Sequence, residues 1–282
     1  MEASGLLMEA ALYGQEETHP DVLTYDSREV KANTMFICKG AAFKEAYLEE
    51  AAKSGAFAYI SESAIEKGAV LYISERKYET GKDVPFLLVS DIRKAMAILA
   101  NAFYGSPWKE LTVVGVGGTK GKSTSAYYMK AIVDDYMEET GKPESAVISS
   151  IDIYDGKSRV ESHITTPEAV ELQRHFRNAA DCGITFAEME VSSQALKYNR
   201  VDGMLFDVGI FLNISEDHIS PIEHPDFEDY FTSKMRMFAQ TDHAVVNLDA
   251  DFADRILEAA QAAGDVTTIS QKDENADYYA YQ

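Results

Sequence analysis

The run Gly115-Val116-Gly117-Gly118-Thr119-Lys120-Gly121-Lys122-Ser123-Thr124 concentrates more potential chemistry than any other stretch of the chain. It follows an apolar stretch at 112–116 and opens a helical pattern, the strand–loop–helix setting of a phosphate-binding loop. Glycines let successive backbone N–H groups turn inward toward phosphate oxygens, and the N-terminus of the next helix adds unpaired donors and a favourable dipole. On this reading Gly118, Thr119, Lys120, Gly121, Lys122, Ser123 and Thr124 form a nucleotide site for ATP. Lys122 reaches the β- and γ-phosphates, and the Ser123 hydroxyl ligates Mg2+. The usual spacing places a glycine five residues before Gly121; Val116 stands there, and Gly115 lies one step farther back.

Such a loop needs a sheet behind it. Apolar runs at 112–116, 146–148, 187–191, 208–212 and 244–246 predict strands, and helical patterns separate several of them. Met129, Ile132, Val133 and Tyr136 recur as one helix face. Leu172, Phe176, Ala179 and Ala180 do the same, with Thr166 as N-cap and Pro167 at the first helical position. Strands alternating with helices imply right-handed crossovers and a mostly parallel sheet, with ligands beyond its carboxyl ends. Glu190 and the segment Asn213 to His218 each follow a strand and can meet the phosphate loop in one crevice.

Upstream, strands at 35–38, 57–60 and 86–89 and a helix at 46–54 predict a smaller domain. After a helix at 92–103, Gly105 and Pro107 punctuate the chain. The expected organisation is therefore α/β throughout: a small N-terminal domain at 1–107, then a mostly parallel-sheet, phosphate-loop central domain at 108–282. Residues 276–280 read as the start of another element, so a truncated product is expected.

Composition narrows the partners. With 26 Lys plus Arg against 47 Asp plus Glu, the net charge of −21 argues against nucleic acid and anionic membranes. An anionic substrate needs only a local cluster of donors. Two cysteines support no disulfide framework and fit a reducing compartment. Without a signal core or an apolar run of ~18 residues, the expected location is the cytoplasm, with no membrane insertion. Nothing in the sequence sets an oligomeric state.

The spacing G-x-x-G-T-x-G-K-[ST] resembles the ATP loop of the Mur ligases, the amide-forming enzymes of peptidoglycan precursor synthesis. Other segments match in order: Asp26-Ser27-Arg28, Thr165-Thr166-Pro167, Glu190-Val191-Ser192-Ser193, Asn213 to His218, and Tyr230-Phe231-Thr232-Ser233-Lys234. The set is most similar to the branch that adds the third stem-peptide residue. Two positions depart from the family pattern, Gln194 where His is usual and Ser220 where an acidic residue is common, and the loop 221–225 is unusual.

The resemblance implies roles for these residues. Asp26, Ser27 and Arg28 would bind the uridine end of a UDP-N-acetylmuramoyl-dipeptide, although they could equally form a capped turn. Thr165, Thr166, Ser192 and Arg200 would contact the same substrate; Thr166 also suits a helix start, and a lone Arg200 a surface charge. Glu190 and His218 would be metal ligands, against the bland readings of a solvated strand-end carboxylate and a helix-capping imidazole. Lys234 would be carbamylated by CO2 and join Ser123, Glu190 and His218 at Mg2+; otherwise it is a lysine whose stem lies along the apolar face of Phe231, Met235 and Phe238. Lys122, Lys234 and His218 form the implied catalytic set. The implied reaction phosphorylates a substrate carboxylate with ATP, and an amino acid then attacks the acyl phosphate to give an amide. A fragment without the family's C-terminal domain is expected to be inactive by itself. Two alternatives stay open: another ligase of the superfamily (folylpolyglutamate or cyanophycin type), and a non-catalytic nucleotide-binding subunit.

Overall fold

The computed structural model describes residues 5–11, 20–26, 29, 34–37, 69–75, 86–217, 219–221 and 223–281. The chain divides into two compact units, Met1–Phe103 and Tyr104–Gln282.

In the first unit, β1 (Leu7–Ala11), β2 (Val22–Thr24), β3 (Thr34–Ile37), β4 (Ala69–Ser74) and β5 (Phe86–Val89) form a sheet ordered β1-β5-β4-β3-β2. β1 runs antiparallel to β5 and the other pairings are parallel. Helix α1 (Ile92–Phe103) starts where Asp91 Oδ1 accepts the N–H groups of Arg93 and Lys94, both at 3.0 Å. Its buried stripe of Ile92, Ala95, Met96 and Ala100 follows the helical repeat. The strand expected at 57–60 and the helix at 46–54 lie outside the described residues.

The second unit is built on nine strands. They are β6 (Thr112–Gly117), β7 (Ala146–Ile148), β8 (Asp152–Tyr154), β9 (Arg159–Glu161), β10 (Phe186–Glu190), β11 (Phe206–Phe211), β12 (Thr241–Asn247), β13 (Asp265–Ser270) and β14 (Tyr278–Tyr279). Their order is β14-β13-β12-β11-β6-β10-β7-β8-β9; every pairing from β14 to β7 is parallel, and β8 and β9 continue antiparallel. The helices are α2 (Lys122–Glu139), α3 (Ala169–Asp181), α4 (Ser193–Lys197), α5 (Phe227–Met235) and α6 (Ala253–Ala260). One core gathers Val113, Ile148, Phe176, Met189 and Phe206, with Trp108 packed against it. Another gathers Phe211, Tyr230, Phe231, Phe238, Val246 and Ile256. Each large apolar side chain sequestered in this way contributes about 1.5–3 kcal/mol.

Several elements differ from the sequence expectation in instructive ways. Helix α2 buries Ala126, Lys130 and Met137, while Ile132 and Tyr136 of the expected apolar face are 72% and 56% exposed. An inward position is held by an ion-paired lysine, so counting apolar residues picks the wrong stripe. Helix α3 begins at Ala169 with Glu168 as N-cap, because Thr166 is occupied elsewhere. Helix α5 ends at Met235, and Phe238 sits in a following 3-10 turn (Phe238–Gln240). Among the described residues no helix is long and apolar enough to cross a membrane.

Candidate active site

The phosphate loop leaves the centre of the larger sheet. β6 lies between β10 and β11, so the loop after it is flanked by the ends of both neighbours. Gly118 and Gly121 have φ of +139° and +85°, conformations that L side chains rarely adopt, and these two glycines shape the turn. Gly115 serves another purpose. It remains in the strand, where a Cβ would come within 2.7 Å of the Phe206 ring. Val116, also in the strand, is fully buried and pairs with Glu190 on one side and Ile210 on the other. The departure in spacing therefore falls in the sheet and leaves the turn unchanged.

Asn213, just past β11, braces the loop. Its backbone carbonyl accepts the Thr119 N–H at 3.0 Å, its Oδ1 accepts the Lys120 N–H at 3.0 Å, and its Nδ2 donates to the Lys120 carbonyl at 3.1 Å. Lys122 Nζ donates to the carbonyls of Gly118 and Thr119 at 3.1 and 3.0 Å. Burial lowers the pKa of this amine, and the charge of Glu190 opposes the shift. Lys120 is exposed and pairs with Asp217 at 2.8 Å.

A chain of oxygens lies beside the loop. Ser123 Oγ is 3.2 Å from Ser150 Oγ; Glu190 Oε1 in turn accepts from Ser150 N–H at 2.8 Å and Ser150 Oγ at 3.1 Å. The Thr166 hydroxyl donates to the Glu190 carbonyl at 2.8 Å and accepts the Ser192 N–H at 3.1 Å. Ser192 caps α4 through the Ala195 N–H. Arg200 donates to the Thr166 carbonyl at 3.1 Å and pairs with Glu168 at the same distance. Thr166, Glu190, Ser192 and Arg200 thus form one connected patch next to the phosphate loop, with half-buried Thr165 just before it in the chain.

Lys234 is the most unusual residue here. It is 3% exposed, and its Nζ donates to the Gly118 carbonyl at 2.7 Å, the same oxygen that Lys122 addresses. Its amine also sits over the Tyr230 ring, 4.8 Å from the centroid. Desolvation, with the Lys122 charge second, pushes its pKa down to about 7. Such a lysine holds a large neutral, nucleophilic fraction near neutrality. Its stem does not run out to solvent.

Sequence reasoning assigned no role to Ser150 or Tyr230, or to His224. His224 is completely buried between Ser193 Oγ (3.0 Å from Nε2) and Asp229 Oδ2 (2.6 Å from Nδ1). The two departing positions meet at Glu223 of the unusual loop: Gln194 donates to its carboxylate at 2.8 Å, and Ser220 Oγ accepts its N–H at 3.2 Å. In the first unit, Asp26 opens a turn in which its carbonyl accepts the Glu29 N–H at 3.0 Å. Ser27, Arg28 and His218 lie outside the described residues. The donor set suits Mg2+, since the Ser123 hydroxyl and the Glu190 carboxylate are hard oxygens joined through Ser150. A cleft of about 700 Å3 opens beyond β12 to β14, lined in part by Asn247, Asp249 and Tyr279. Asn247 Nδ2 donates to the Leu212 carbonyl at 2.9 Å, immediately before Asn213.

Residues 116–282 match the family described as the Mur ligase middle domain, and the chain belongs to the Mur ligase family. It is 44% identical over 253 residues to a UDP-N-acetylmuramyl-tripeptide synthetase of Bifidobacterium longum (strain NCC 2705), covering 89% of this chain and 46% of that protein. It is 45% identical over 249 residues to a UDP-N-acetylmuramoyl-L-alanyl-D-glutamate--L-lysine ligase of Enterococcus faecalis (strain ATCC 700802 / V583), covering 88% and 45%. A solved structure of a UDP-N-acetylmuramoyl-L-alanyl-D-glutamate--2,6-diaminopimelate ligase superposes with a TM-score of 0.72 at 27% identity, covering 93% of this chain and 51% of that one. The chain spans about half the length of these relatives. Dependence on ATP and Mg2+ is typical of the family.

Proposed function

We propose that this chain carries the nucleotide- and UDP-substrate-handling part of an ATP-dependent, ADP-forming ligase that extends a UDP-N-acetylmuramoyl-dipeptide by one amino acid. The observation that carries this reading is the buried Lys234 amine, bonded to the same phosphate-loop carbonyl as Lys122. A nucleotide site alone has no use for a second, desolvated lysine beside its phosphates.

Gly118 to Thr124 bind the triphosphate of ATP, and Lys122 turns from its loop carbonyls to offset charge on the transferring phosphoryl group. The cleft beyond β12 to β14 gives room for the nucleoside. Ser123 and Glu190 would hold Mg2+, which would supply positive charge against the phosphates. The neutral Lys234 amine attacks the carbon of CO2 and releases a proton to solvent, leaving a carbamate anion. That step turns a buried neutral amine into an anion that could serve as a metal ligand. His218 completes the proposed ligand set. Thr165, Thr166, Ser192 and Arg200 hold the peptide end of the UDP substrate, and Asp26, Ser27 and Arg28 its uridine end, in an N-terminal domain at 1–107 preceding the ATP domain at 108–282. The names of the relatives make L-lysine and 2,6-diaminopimelate the first amino acids to try.

Calorimetry with Mg-ATP tests the nucleotide half. The wild-type chain binds, and Lys122→Ala loses the binding heat with an unchanged melting profile, since the substitution touches loop carbonyls and no core contact. Retained affinity would sink the phosphate-loop assignment. Calorimetry with UDP-N-acetylmuramoyl-L-alanyl-D-glutamate tests the other half, and an assay of the longest gene product with ATP and each amino acid tests the reaction.

A further inference from the structure

We propose that Tyr230 is a positioning residue whose buried hydroxyl, bonded to Thr119 Oγ1, locks the phosphate loop to the helix that carries Lys234. This deepens the nucleotide-site reading above and rests on it.

Tyr230 and Lys234 lie one turn apart on α5 and both reach the phosphate loop, at adjacent residues. Lys234 takes the Gly118 carbonyl, and the Tyr230 hydroxyl lies 3.0 Å from Thr119 Oγ1. Tyr230 is 1% exposed and Thr119 5%, so water does not compete for this bond. Thr119 Oγ1 also accepts the Ser215 N–H at 3.1 Å and lies 3.4 Å from the Ser215 carbonyl. One arrangement of protons satisfies every partner: Ser215 N–H and Tyr230 O–H donate to the threonine oxygen, and its own proton goes to the Ser215 carbonyl. The Thr119 hydroxyl is therefore a node joining three elements: the loop, the segment after β11, and α5.

The ring of Tyr230 is fixed as firmly as its hydroxyl. His224 meets it edge-on at 5.1 Å, and Phe227 packs at 6.5 Å. His224 is itself held between Ser193 and Asp229. The phenol thus transmits the position of α5 to the Gly118–Thr119 peptide, which both Lys122 and Lys234 address. An arrangement without the phenol would leave that peptide tied to α5 only through the Lys234 ammonium, a donor lost in part whenever the amine is neutral or modified. The ring lies under the Lys234 amine, and the hydroxyl acts through Thr119.

The test is a double-mutant cycle read by Mg-ATP calorimetry on the full chain, with thermal melts alongside. Tyr230→Phe keeps the ring under Lys234 and removes only the hydroxyl. It weakens Mg-ATP by about five-fold, equivalent to about 1 kcal/mol for one buried neutral hydrogen bond. Thr119→Val, which also gives up the Ser215 bonds, weakens it at least as much, Thr119→Ser recovers most of that loss, and the double variant Tyr230→Phe/Thr119→Val is no weaker than Thr119→Val alone. Unchanged affinity in Tyr230→Phe, or losses that multiply to about 25-fold in the double variant, overturns the proposal. Should Tyr230→Phe fail to fold, Tyr230→Met, which also lacks the hydroxyl, replaces it in the cycle, and the same two outcomes overturn the proposal. Absence of Mg-ATP binding in the wild-type chain instead defeats the underlying nucleotide-site reading.

Discussion

Two buried lysines in the second unit, Lys130 and Lys234, are 6% and 3% exposed yet have opposite surroundings. Lys130, midway along α2, donates to Asp134 at 2.7 Å, to Glu144 at 3.1 Å and to the Ser145 carbonyl at 2.7 Å. All three ammonium protons are taken, two by carboxylates. Lys234 has a carbonyl and an aromatic face, and the like charge of Lys122 outweighs the opposite charge of Asp217. Burial alone therefore does not make a lysine reactive; burial beside a like charge that outweighs the opposite one does. One amine ties α2 to Glu144 and Ser145, and the other is kept near its titration point beside the Gly118 carbonyl.

The sharpest way to break this comparison is to remove each amine in turn. Lys130→Met takes the lysine donor from Asp134 Oδ2 and from the Ser145 carbonyl, and should lower unfolding free energy by about 3 kcal/mol, as loss of one partner from a buried pair does. Urea titration measures it, and a loss below ~1 kcal/mol would contradict the structural role. Lys234→Met should do the reverse, raising stability by about 2 kcal/mol at pH 7 in CO2-free buffer, because an apolar chain replaces a poorly compensated amine. The pH dependence fixes the sign. With a folded pKa of about 7 against an unfolded value of 10.5, the unfolded chain binds the extra proton between those limits. Wild-type stability therefore climbs with pH across that window relative to the variant. The advantage of Lys234→Met is largest at or below pH 7 and shrinks steadily as pH rises toward 10.5; a gap independent of pH would refute the depressed pKa.

A smaller effect comes from the polar cluster around Lys130. Glu188, on β10, is fully buried, and desolvation raises its pKa to about 7. The hydrogen bonds agree: Ser145 Oγ lies 2.9 Å from Asp134 Oδ1 and 2.8 Å from Glu188 Oε2, and its single proton cannot serve both carboxylates. A protonated Glu188 supplies the missing donor. Here the folded state holds the extra proton, so stability falls as pH rises from about 4.5 to about 7 and then levels off. Glu188→Gln, neutral at every pH, should gain about 1 kcal/mol over wild type at pH 8 and nothing at pH 4. Equal denaturation midpoints at both pH values would count against the protonated form.

How much of this was legible in the sequence varies with the kind of interaction. The loop from Gly118 to Ser123 was fully legible, because its turn depends on glycines and its setting on an apolar strand before a helix. Lys234 was half legible: the spacing from Tyr230 drew attention to it, but a side chain that follows an apolar helix face can end in water or in the core. Only the packing of α5 against the loop decides that. Ser150 and His224 gave no signal, since their roles arise from strands and loops brought together by crossovers rather than from local spacing. Thr166 carried a true signal that was read wrongly. A threonine before Pro167 suits a helix cap, but its hydroxyl is used by the Glu190 carbonyl and the Ser192 amide. In the first unit β4 went unnoticed, although its sequence Ala-Val-Leu-Tyr-Ile-Ser is apolar enough to have been seen.

The placement of Trp108 has a practical consequence. It is the one tryptophan in the sequence, and it packs against the core that contains Val113, Phe176 and Phe206. Indole emission therefore comes from the second unit alone, while far-ultraviolet dichroism sums both. Exciting at the red edge of the absorption band, where the 16 tyrosines are dark, gives a label-free signal for loosening of the sheet that carries the phosphate loop. A fluorescence transition that separates from the dichroism transition would show the two halves of the chain melting one after the other.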